Sequence, residues 1–156
     1  MTTYTKCKEC GTQSPNKLYR SGRMALCHDC QHFKNLSLKK TGGGVFFTCE
    51  EFRAWRLEPS HQHCRYCGID SQTLTQLAIV NVRTKRPFEV LGVDRRNNAL
   101  PYTLANLVPC CAPCNAIKSS ILTESEMEIL GRSLNQVWMN RLKAVGIKQN
   151  LKLTYE

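Results

Sequence analysis

Eight of the ten cysteines fall into four Cys-x-x-Cys pairs, and this pattern constrains the fold of the 156-residue chain more than any other feature. A short turn lets both thiolates of a pair face one ion, and two pairs complete the tetrahedron of structural zinc. The start, MTTYTKCKEC, lacks the apolar segment of a signal peptide, and no stretch approaches the ~20 apolar residues of a membrane span. We therefore predict a cytoplasmic protein, bacterial or phage-encoded within the host cell, whose cysteines bind metal rather than form disulfides.

The first two pairs predict a four-cysteine zinc ribbon near the N-terminus. Sixteen residues separate Cys10 from Cys27, which is within the spacing of such ribbons. Four thiolates leave no open position on the ion, so we expect this zinc to stabilise the fold without doing chemistry. We interpret His28 and His32, two spare ligands, as surface or DNA-facing side chains. The predicted ligands of zinc site 1 are Cys7, Cys10, Cys27 and Cys30.

The third and fourth pairs predict a second structural zinc that joins the ends of a 43-residue excursion. Cys110 offers a rival register, but only Cys111 and Cys114 have two residues between them. His61 and His63 precede the third pair and could be ligands, catalytic bases or exposed side chains, and exposure is the expected case. The predicted ligands of zinc site 2 are Cys64, Cys67, Cys111 and Cys114.

The excursion and the fourth pair predict a ββα unit. Residues 88–93 form a β-branched and aromatic run that predicts a strand ending at Asp94. Asn115 would face Asp94 from the first turn of the following helix, which starts at the zinc knuckle. The intervening loop, the second strand and the helix are expected at residues 95–102, 105–109 and 112–119.

Helices are also predicted on both sides of this unit. One follows Cys30 to about residue 40 and ends at a glycine run. Capping boxes at Thr48 and Thr123 start two more. The last is an amphipathic helix of about twenty residues that packs on the core or serves a dimer, and residues 148–156 would be a frayed tail or an added strand. The periodic apolar residues of this C-terminal helix are Met127, Leu130, Leu134, Val137, Trp138, Leu142 and Val145.

Asp94 and Asn115 supply oxygen donors, which suit a hard cation such as Mg²⁺. Two protein ligands leave coordination positions for water and for phosphate oxygens. The Asn106 amide can pin the loop between the strands, which would be a scaffolding role. Lys118 lies one helical turn past Asn115 and either holds a neighbouring phosphate or is a solvated helix residue.

The order DR, N, CCxxCNxxK resembles the HNH nuclease family, whose ββα-metal core has this order and spacing. Most members have a histidine general base directly after the metal-binding aspartate, where this chain has Arg95. Arginine stays protonated and cannot take a proton from water. A narrower likeness, to restriction endonucleases of this family with arginine at that position, covers both N-terminal knuckles, HCRYCGI and LGVDR.

That likeness implies a homodimer with two zinc ions per subunit that cleaves duplex DNA at a palindrome. It also implies that Asp94 and Asn115 bind the catalytic metal, that Arg95 contacts the phosphate, and that Tyr102 stands near the attacking water. The similar proteins have a histidine near Gly43, where this chain has glycines. If that histidine activates water or contacts DNA, either no residue of this chain has the same role or His61 or His63 has it.

The charge of the chain agrees with a nucleic-acid partner. The net charge is +10, and residues 1–47 hold eight Lys and Arg against two acidic residues. Such an excess suits a phosphate backbone, where released counterions drive association. We divide the chain into a basic zinc-ribbon region (1–47), a catalytic core with the second zinc (48–122) and a C-terminal helix and tail (123–156), within one compact domain.

We therefore predict an α+β fold, a small zinc-stabilised ββα-metal nuclease with an N-terminal zinc ribbon and a C-terminal helix. The expected activity is that of a metal-dependent DNA endonuclease, a sequence-specific restriction-type homodimer that would require a cognate methyltransferase. One alternative is a phage-type nicking or weakly specific HNH nuclease. Another is a non-catalytic zinc-ribbon DNA-binding protein, although such a protein has no need for Asp94 and Asn115 at this spacing.

Overall fold

The computed structural model describes residues 6–12, 19–21, 24–38, 44–81, 84–153 and 155. Two antiparallel ribbons form the sheets, β1 with β2 and β3 with β4. Within these ranges no helix is both long and apolar enough to cross a membrane. In chain order the elements are β1 (Tyr19–Ser21), β2 (Met24–Leu26), α1 (His28–Ser37), α2 (Cys49–Leu57), α3 (Ser71–Gln76), β3 (Gly92–Arg95), β4 (Leu107–Cys110), α4 (Ala112–Lys118) and α5 (Glu124–Ala144), with 3₁₀ turns at Pro59–His61 and Leu104–Asn106.

The predicted order of strand, loop, strand and helix is confirmed, but β3 is displaced along the chain. It begins at Gly92 rather than at residue 88, so Asp94 lies inside the strand and Arg95 ends it. The apolar residues before it pair elsewhere, because the backbone N–H of Phe88 donates to the carbonyl of Ile79 at 2.8 Å. Hydrophobicity alone therefore overestimated the length of the strand, because Phe88 bonds to another segment and Val90 is exposed.

Helix α1 starts directly at the second Cys-x-x-Cys knuckle, and helix α2 starts at the Thr48 capping box. Helix α1 begins at His28, ahead of the predicted start, because the N–H of Gln31 donates to the Cys27 carbonyl and the knuckle continues directly into the helix. It ends at Ser37, and the glycine run through Gly43 lies outside the described residues. The capping box predicted at Thr48 is present, as is the one at Thr123.

The β3–β4 ribbon separates two hydrophobic clusters, because successive strand residues point to opposite faces. Val93 and Leu107 join a cluster with the aromatic residues of α2. Val108 joins the larger cluster around zinc site 2, which also holds Tyr66 and parts of α5. A third, small cluster surrounds zinc site 1.

Helix α5 buries a narrower face than its periodicity predicts. Met127, Trp138 and Leu142 are buried, but Leu130 and Val137 are 40% and 41% exposed. The close contact is made instead at Gly131, which is buried against the backbone of the third knuckle. The absence of a side chain there lets the helix approach more closely than a larger residue would allow.

In its described residues, 148–153 and 155, the C-terminal tail is neither frayed nor an added strand, so both predictions for it were wrong there. Leu151 is buried, and its carbonyl accepts a hydrogen bond of 2.9 Å from the Asn135 side chain. The Tyr155 hydroxyl donates to the carbonyls of Tyr66 and Glu128, each at 2.8 Å. The tail therefore ties α5 to the third knuckle.

Replacing Gly131 by alanine should lower the free energy of unfolding by about 1–3 kcal/mol, as overpacking does. The added Cβ would lie 2.6 Å from the carbonyl carbon of Tyr66, and this clash outweighs the helix preference of alanine. Urea denaturation of the zinc-loaded protein measures the change. Ser133→Ala, at an exposed position of the same helix, is the matched control and should change stability little. An unchanged stability of Gly131→Ala would show that α5 does not approach the knuckle so closely.

Candidate metal centres and active site

Both predicted groups of four thiols come together in the structure. Within each group the sulfur atoms all lie within 4.8 Å of one another. The Cys10 and Cys27 sulfurs are 3.8 Å apart, and those of Cys67 and Cys111 are 3.7 Å apart. A tetrahedral ion with metal–sulfur bonds of ~2.3 Å places neighbouring sulfurs about 3.8 Å apart. Both groups therefore fit zinc.

Hydrogen bonds from N–H groups support thiolate ligands in both groups. The indole Nε1 of Trp138 donates to the Cys67 sulfur at 3.3 Å. In site 1 the Cys27 backbone N–H donates to the Cys7 sulfur at 3.3 Å. Burial raises the pKa of the Cys7 thiol. The hydrogen bonds from the Cys27 N–H and from other backbone N–H groups of the ribbon have the larger combined effect and lower this pKa to about 6.

An additional thiol lies next to each group. The rival ligand Cys110 is buried, but its thiol donates to the Cys111 carbonyl at 3.4 Å, which leaves the predicted register in place. At site 1 the Cys49 sulfur lies 2.9 Å from the Cys30 sulfur. Four thiols already complete each tetrahedron, so neither additional thiol is needed as a ligand.

The Asp94 carboxylate is buried on the inner face of β3 and is bonded through one oxygen. Its Oδ2 accepts a 2.7 Å hydrogen bond from the Tyr66 hydroxyl and lies 3.1 Å from the Lys118 ammonium. Burial and the adjacent carboxylate raise the pKa of Tyr66, which keeps its hydroxyl a donor. In the described part of the chain no hydrogen bond reaches Oδ1, which leaves this oxygen available to a cation.

Tyr66 is a site residue that the sequence did not indicate. It lies between the cysteines of the third pair, where an aromatic residue is equally typical of a packed core. Only the contact between this knuckle and the β3–β4 ribbon identifies its role, and no spacing rule for the knuckle predicts which neighbour the hydroxyl meets.

The structure corrects both predictions for Lys118. Its side chain is completely buried and neither solvated nor turned towards a phosphate site at the surface. The ammonium donates to the Arg95 carbonyl and to the Asn98 side-chain oxygen, each at 2.8 Å, in addition to its contact with Asp94. A buried carboxylate needs a counter-charge, and α4 packs against β3 so that Lys118 supplies it.

Asn115 lies one helical turn before Lys118, and residues three apart are neighbours on a helix surface. It is exposed and lines a cleft of about 360 Å³ between α4, the start of β3 and α1. His28 and His32 line the same cleft from α1. Among the residues described, none bonds to the Asn115 carboxamide, so this group is also available as a ligand.

Arg95 and Tyr102 come together on the opposite face of the ribbon from the Asp94 carboxylate. The Arg95 guanidinium carbon lies 4.8 Å from the centroid of the Tyr102 ring, and Nη1 donates to the Leu100 carbonyl at 3.0 Å. Tyr102 is largely buried, and its backbone N–H donates to the carbonyl of Gly44. The end of the glycine run therefore lies beside Tyr102 and Arg95.

Asn106 makes the scaffolding contacts expected of it. Its Nδ2 donates to the Pro101 and Asn97 carbonyls at 3.0 and 3.1 Å, and its Oδ1 accepts from the Asn97 N–H at 3.0 Å. These bonds hold the loop between the strands in one shape.

His61 is not exposed, contrary to expectation. It stacks on Trp55 with ring centroids 4.0 Å apart, and its Nδ1 donates to the Trp55 carbonyl at 2.6 Å. His63 remains partly exposed, with Nε2 3.9 Å from a carboxylate oxygen of Asp70. His61 and His63 therefore each have a partner other than Asp94.

Comparison with known proteins agrees with this architecture. No protein-family model and no curated protein sequence matches the chain. Among solved structures, the rare-cutting HNH restriction endonuclease PacI, described as perturbing DNA by an extraordinary mechanism, aligns with a TM-score of 0.71 and 34% sequence identity. The alignment covers 92% of this chain and 99% of PacI.

The likeness to PacI spans nearly the whole of both chains at 34% sequence identity. The chain therefore belongs to the HNH endonuclease family.

Proposed function

We propose that this protein is a metal-dependent endonuclease that hydrolyses phosphodiester bonds in double-stranded DNA. The observation that carries the proposal is the Asp94 carboxylate, which is held through Oδ2 while no described residue bonds to Oδ1. Although Asp94 is largely buried, Oδ1 keeps contact with solvent, so a cation can reach a carboxylate whose other oxygen is already fixed.

Asp94 and Asn115 are the residues that would hold the catalytic cation. A carboxylate and a carboxamide suit Mg²⁺, which keeps several positions for water and phosphate oxygens. When bound there, such an ion would polarise the scissile phosphate and stabilise the charge on the leaving oxygen. Asn106 supports this arrangement indirectly by fixing the loop that follows β3.

Arg95 replaces the usual base and acts by charge. Its guanidinium is permanently protonated, can form paired hydrogen bonds to a phosphate, and would stabilise the additional negative charge of the transition state. Its contact with Tyr102 orients the guanidinium through the face of the ring. The Tyr102 hydroxyl would orient the attacking water.

We further propose a restriction-type homodimer that cuts a palindromic site, because two-fold symmetry matches one subunit to each strand. PacI is a restriction endonuclease, and the +10 charge of this chain suits a DNA backbone. The exposed Leu130 and Val137 lie two turns apart on α5 and are available to a second subunit. A restriction enzyme of this kind would act beside a methyltransferase that protects the host site.

Asp94→Asn and Asn115→Ala should each abolish Mg²⁺-dependent cleavage of plasmid and phage DNA. Loss of a direct ligand should cost more than the roughly 10–100-fold that loss of an outer-shell partner costs. Discrete fragments from the wild-type protein identify a site-specific enzyme, whereas nicked circles or a smear identify a weakly specific one.

Asn140→Ala, at an exposed position of α5, is the control and should cleave normally. Zinc content and circular dichroism establish that the inactive variants are folded. Mg²⁺-dependent cleavage that survives in both Asp94→Asn and Asn115→Ala would contradict the proposal. DNA that shifts on a gel when the protein is added but stays intact with Mg²⁺ would favour the DNA-binding alternative.

Arg95→Ala should lower the cleavage rate by about 10²–10³-fold, the effect of removing one preorganised transition-state donor. Binding of the divalent cation should be unchanged. Arg141→Ala is a matched control, because Arg141 stacks on Trp138 at 5.0 Å in a similar cation–π contact on α5. An equal loss of activity in both variants would mean that Arg95 acts only through packing or overall charge.

The purified protein should contain two zinc ions per chain, and Cys67→Ser should lose one of them together with cooperative unfolding. A structural zinc contributes ~10–16 kcal/mol of apparent binding energy, comparable with the stability of a whole domain. Cys110→Ser is the matched control, since this cysteine is buried beside site 2 without being one of its four ligands. Elemental analysis and thermal unfolding measure both effects, and a single zinc in the wild-type protein would contradict the assignment.

A further inference from the structure

One oxygen of the Asp94 carboxylate is fixed from two sides by groups that water cannot reach. The Tyr66 hydroxyl donates to Oδ2 at 2.7 Å, and the Lys118 ammonium lies 3.1 Å from the same atom. Both holding side chains are 0% exposed. Because solvent cannot replace these contacts, they determine the orientation of the carboxylate.

Both holding groups belong to elements that zinc site 2 anchors. Tyr66 lies between Cys64 and Cys67, and Lys118 ends the helix whose N-cap is Cys111 and whose first turn contains Cys114. The knuckle is also fixed to β4, because the backbone N–H of Arg65 donates to the Pro109 carbonyl at 2.8 Å. Hydrogen bonds and an ion pair thereby connect the predicted zinc-binding elements to the carboxylate.

We propose that Tyr66 and Lys118 are positioning residues, which hold Oδ2 so that Oδ1 of Asp94 is presented to the catalytic cation, and that zinc site 2 controls this geometry. The inference rests on the proposed role of Asp94 as a metal ligand. Partners that hydrogen-bond a ligating carboxylate orient it and tune its affinity for metal. The terminal torsion of an aspartate is broad, so an unheld carboxylate would sample several orientations.

The two residues differ in what their removal would test. Lys118 holds the carboxylate but also places a positive charge beside the cation. Its replacement would weaken cation binding by releasing the carboxylate and strengthen it by removing electrostatic repulsion, so the two effects would oppose each other. Tyr66→Phe removes one neutral hydroxyl and leaves the ring, the cysteines and the charge unchanged. Tyr66 is therefore the residue on which the proposal is tested.

The experiment titrates zinc-loaded protein with Mn²⁺ and counts bound ions by the loss of the free-ion EPR signal. Tyr66→Phe should bind Mn²⁺ about tenfold more weakly than wild type, at the lower end of the range for outer-shell partners. The Mg²⁺ concentration for half-maximal cleavage should rise by the same factor, and saturating Mg²⁺ should restore most of the rate. A merely structural tyrosine would not give this separation of affinity from rate.

Tyr155→Phe is the matched control, because its hydroxyl donates to the backbone carbonyl of Tyr66 and does not contact Asp94. It should lower stability and leave Mn²⁺ affinity unchanged. Equal Mn²⁺ affinity in wild type and Tyr66→Phe would overturn the proposal. Unchanged Mn²⁺ binding by Asp94→Asn would instead overturn the proposed function, so the two failures are distinguishable.

A measurement on the wild-type protein applies if Tyr66→Phe fails to hold zinc. With ¹³C at the tyrosine Cζ positions, Mg²⁺ should shift the Tyr66 resonance, since the cation draws charge from the carboxylate that accepts its proton. The Tyr155 resonance should stay in place. A Tyr66 resonance that does not move at Mg²⁺ concentrations supporting cleavage would overturn the proposal.

Discussion

The four-thiol group of zinc site 2 is the constraint on which the rest of the molecule depends. It joins the third knuckle to the start of α4 and closes a 43-residue excursion that contains both strands of the ββα unit. The ~10–16 kcal/mol typical of structural zinc is as large as the ~5–15 kcal/mol net stability of an ordinary domain. In a short chain with modest clusters on either side of a two-stranded ribbon, zinc bound by these four thiols would supply a large share of the stability of the ββα unit.

The buried pair of Asp94 and Lys118 follows from this closure. Helix α4 starts at the second four-thiol group and packs against β3, so Lys118 reaches the strand and meets the carboxylate inside the protein. A carboxylate alone in this position would be costly, whereas one bonded to an ammonium and a tyrosine hydroxyl is tolerated. The protein thus keeps the Asp94 carboxylate buried and oriented through Oδ2, which is the arrangement that its proposed role as a metal ligand needs.

The parts of the fold that local spacing determines could be predicted from the sequence. Two cysteines separated by two residues face one ion whatever surrounds them, and a threonine with glutamate three residues later caps a helix by itself, as at Thr48 and Thr123. The order of the ββα unit follows from the same short-range patterns. For the candidate site, this was enough to select Asp94 and Asn115 as potential ligands.

What the sequence could not predict depends on contacts between distant segments. Lys118 occupies a helix position that is equally compatible with solvent, and only the packing of α4 on β3 turns it inward. Tyr66 resembles any core aromatic until the knuckle meets the ribbon. Helix α5 turns a narrower face inward than its periodicity indicates, because Gly131 rather than Leu130 meets the knuckle.

A crystal structure of the zinc-loaded protein soaked in Mn²⁺, with anomalous data at the zinc and manganese edges, would locate the catalytic cation. We expect two zinc peaks within the sulfur tetrahedra and one manganese peak about 2.1–2.2 Å from Oδ1 of Asp94, with Asn115 as its other protein ligand. The Tyr66 hydroxyl should remain on Oδ2. A manganese ion bound away from Asp94, or bound through Oδ2 with Tyr66 displaced, would contradict this expectation.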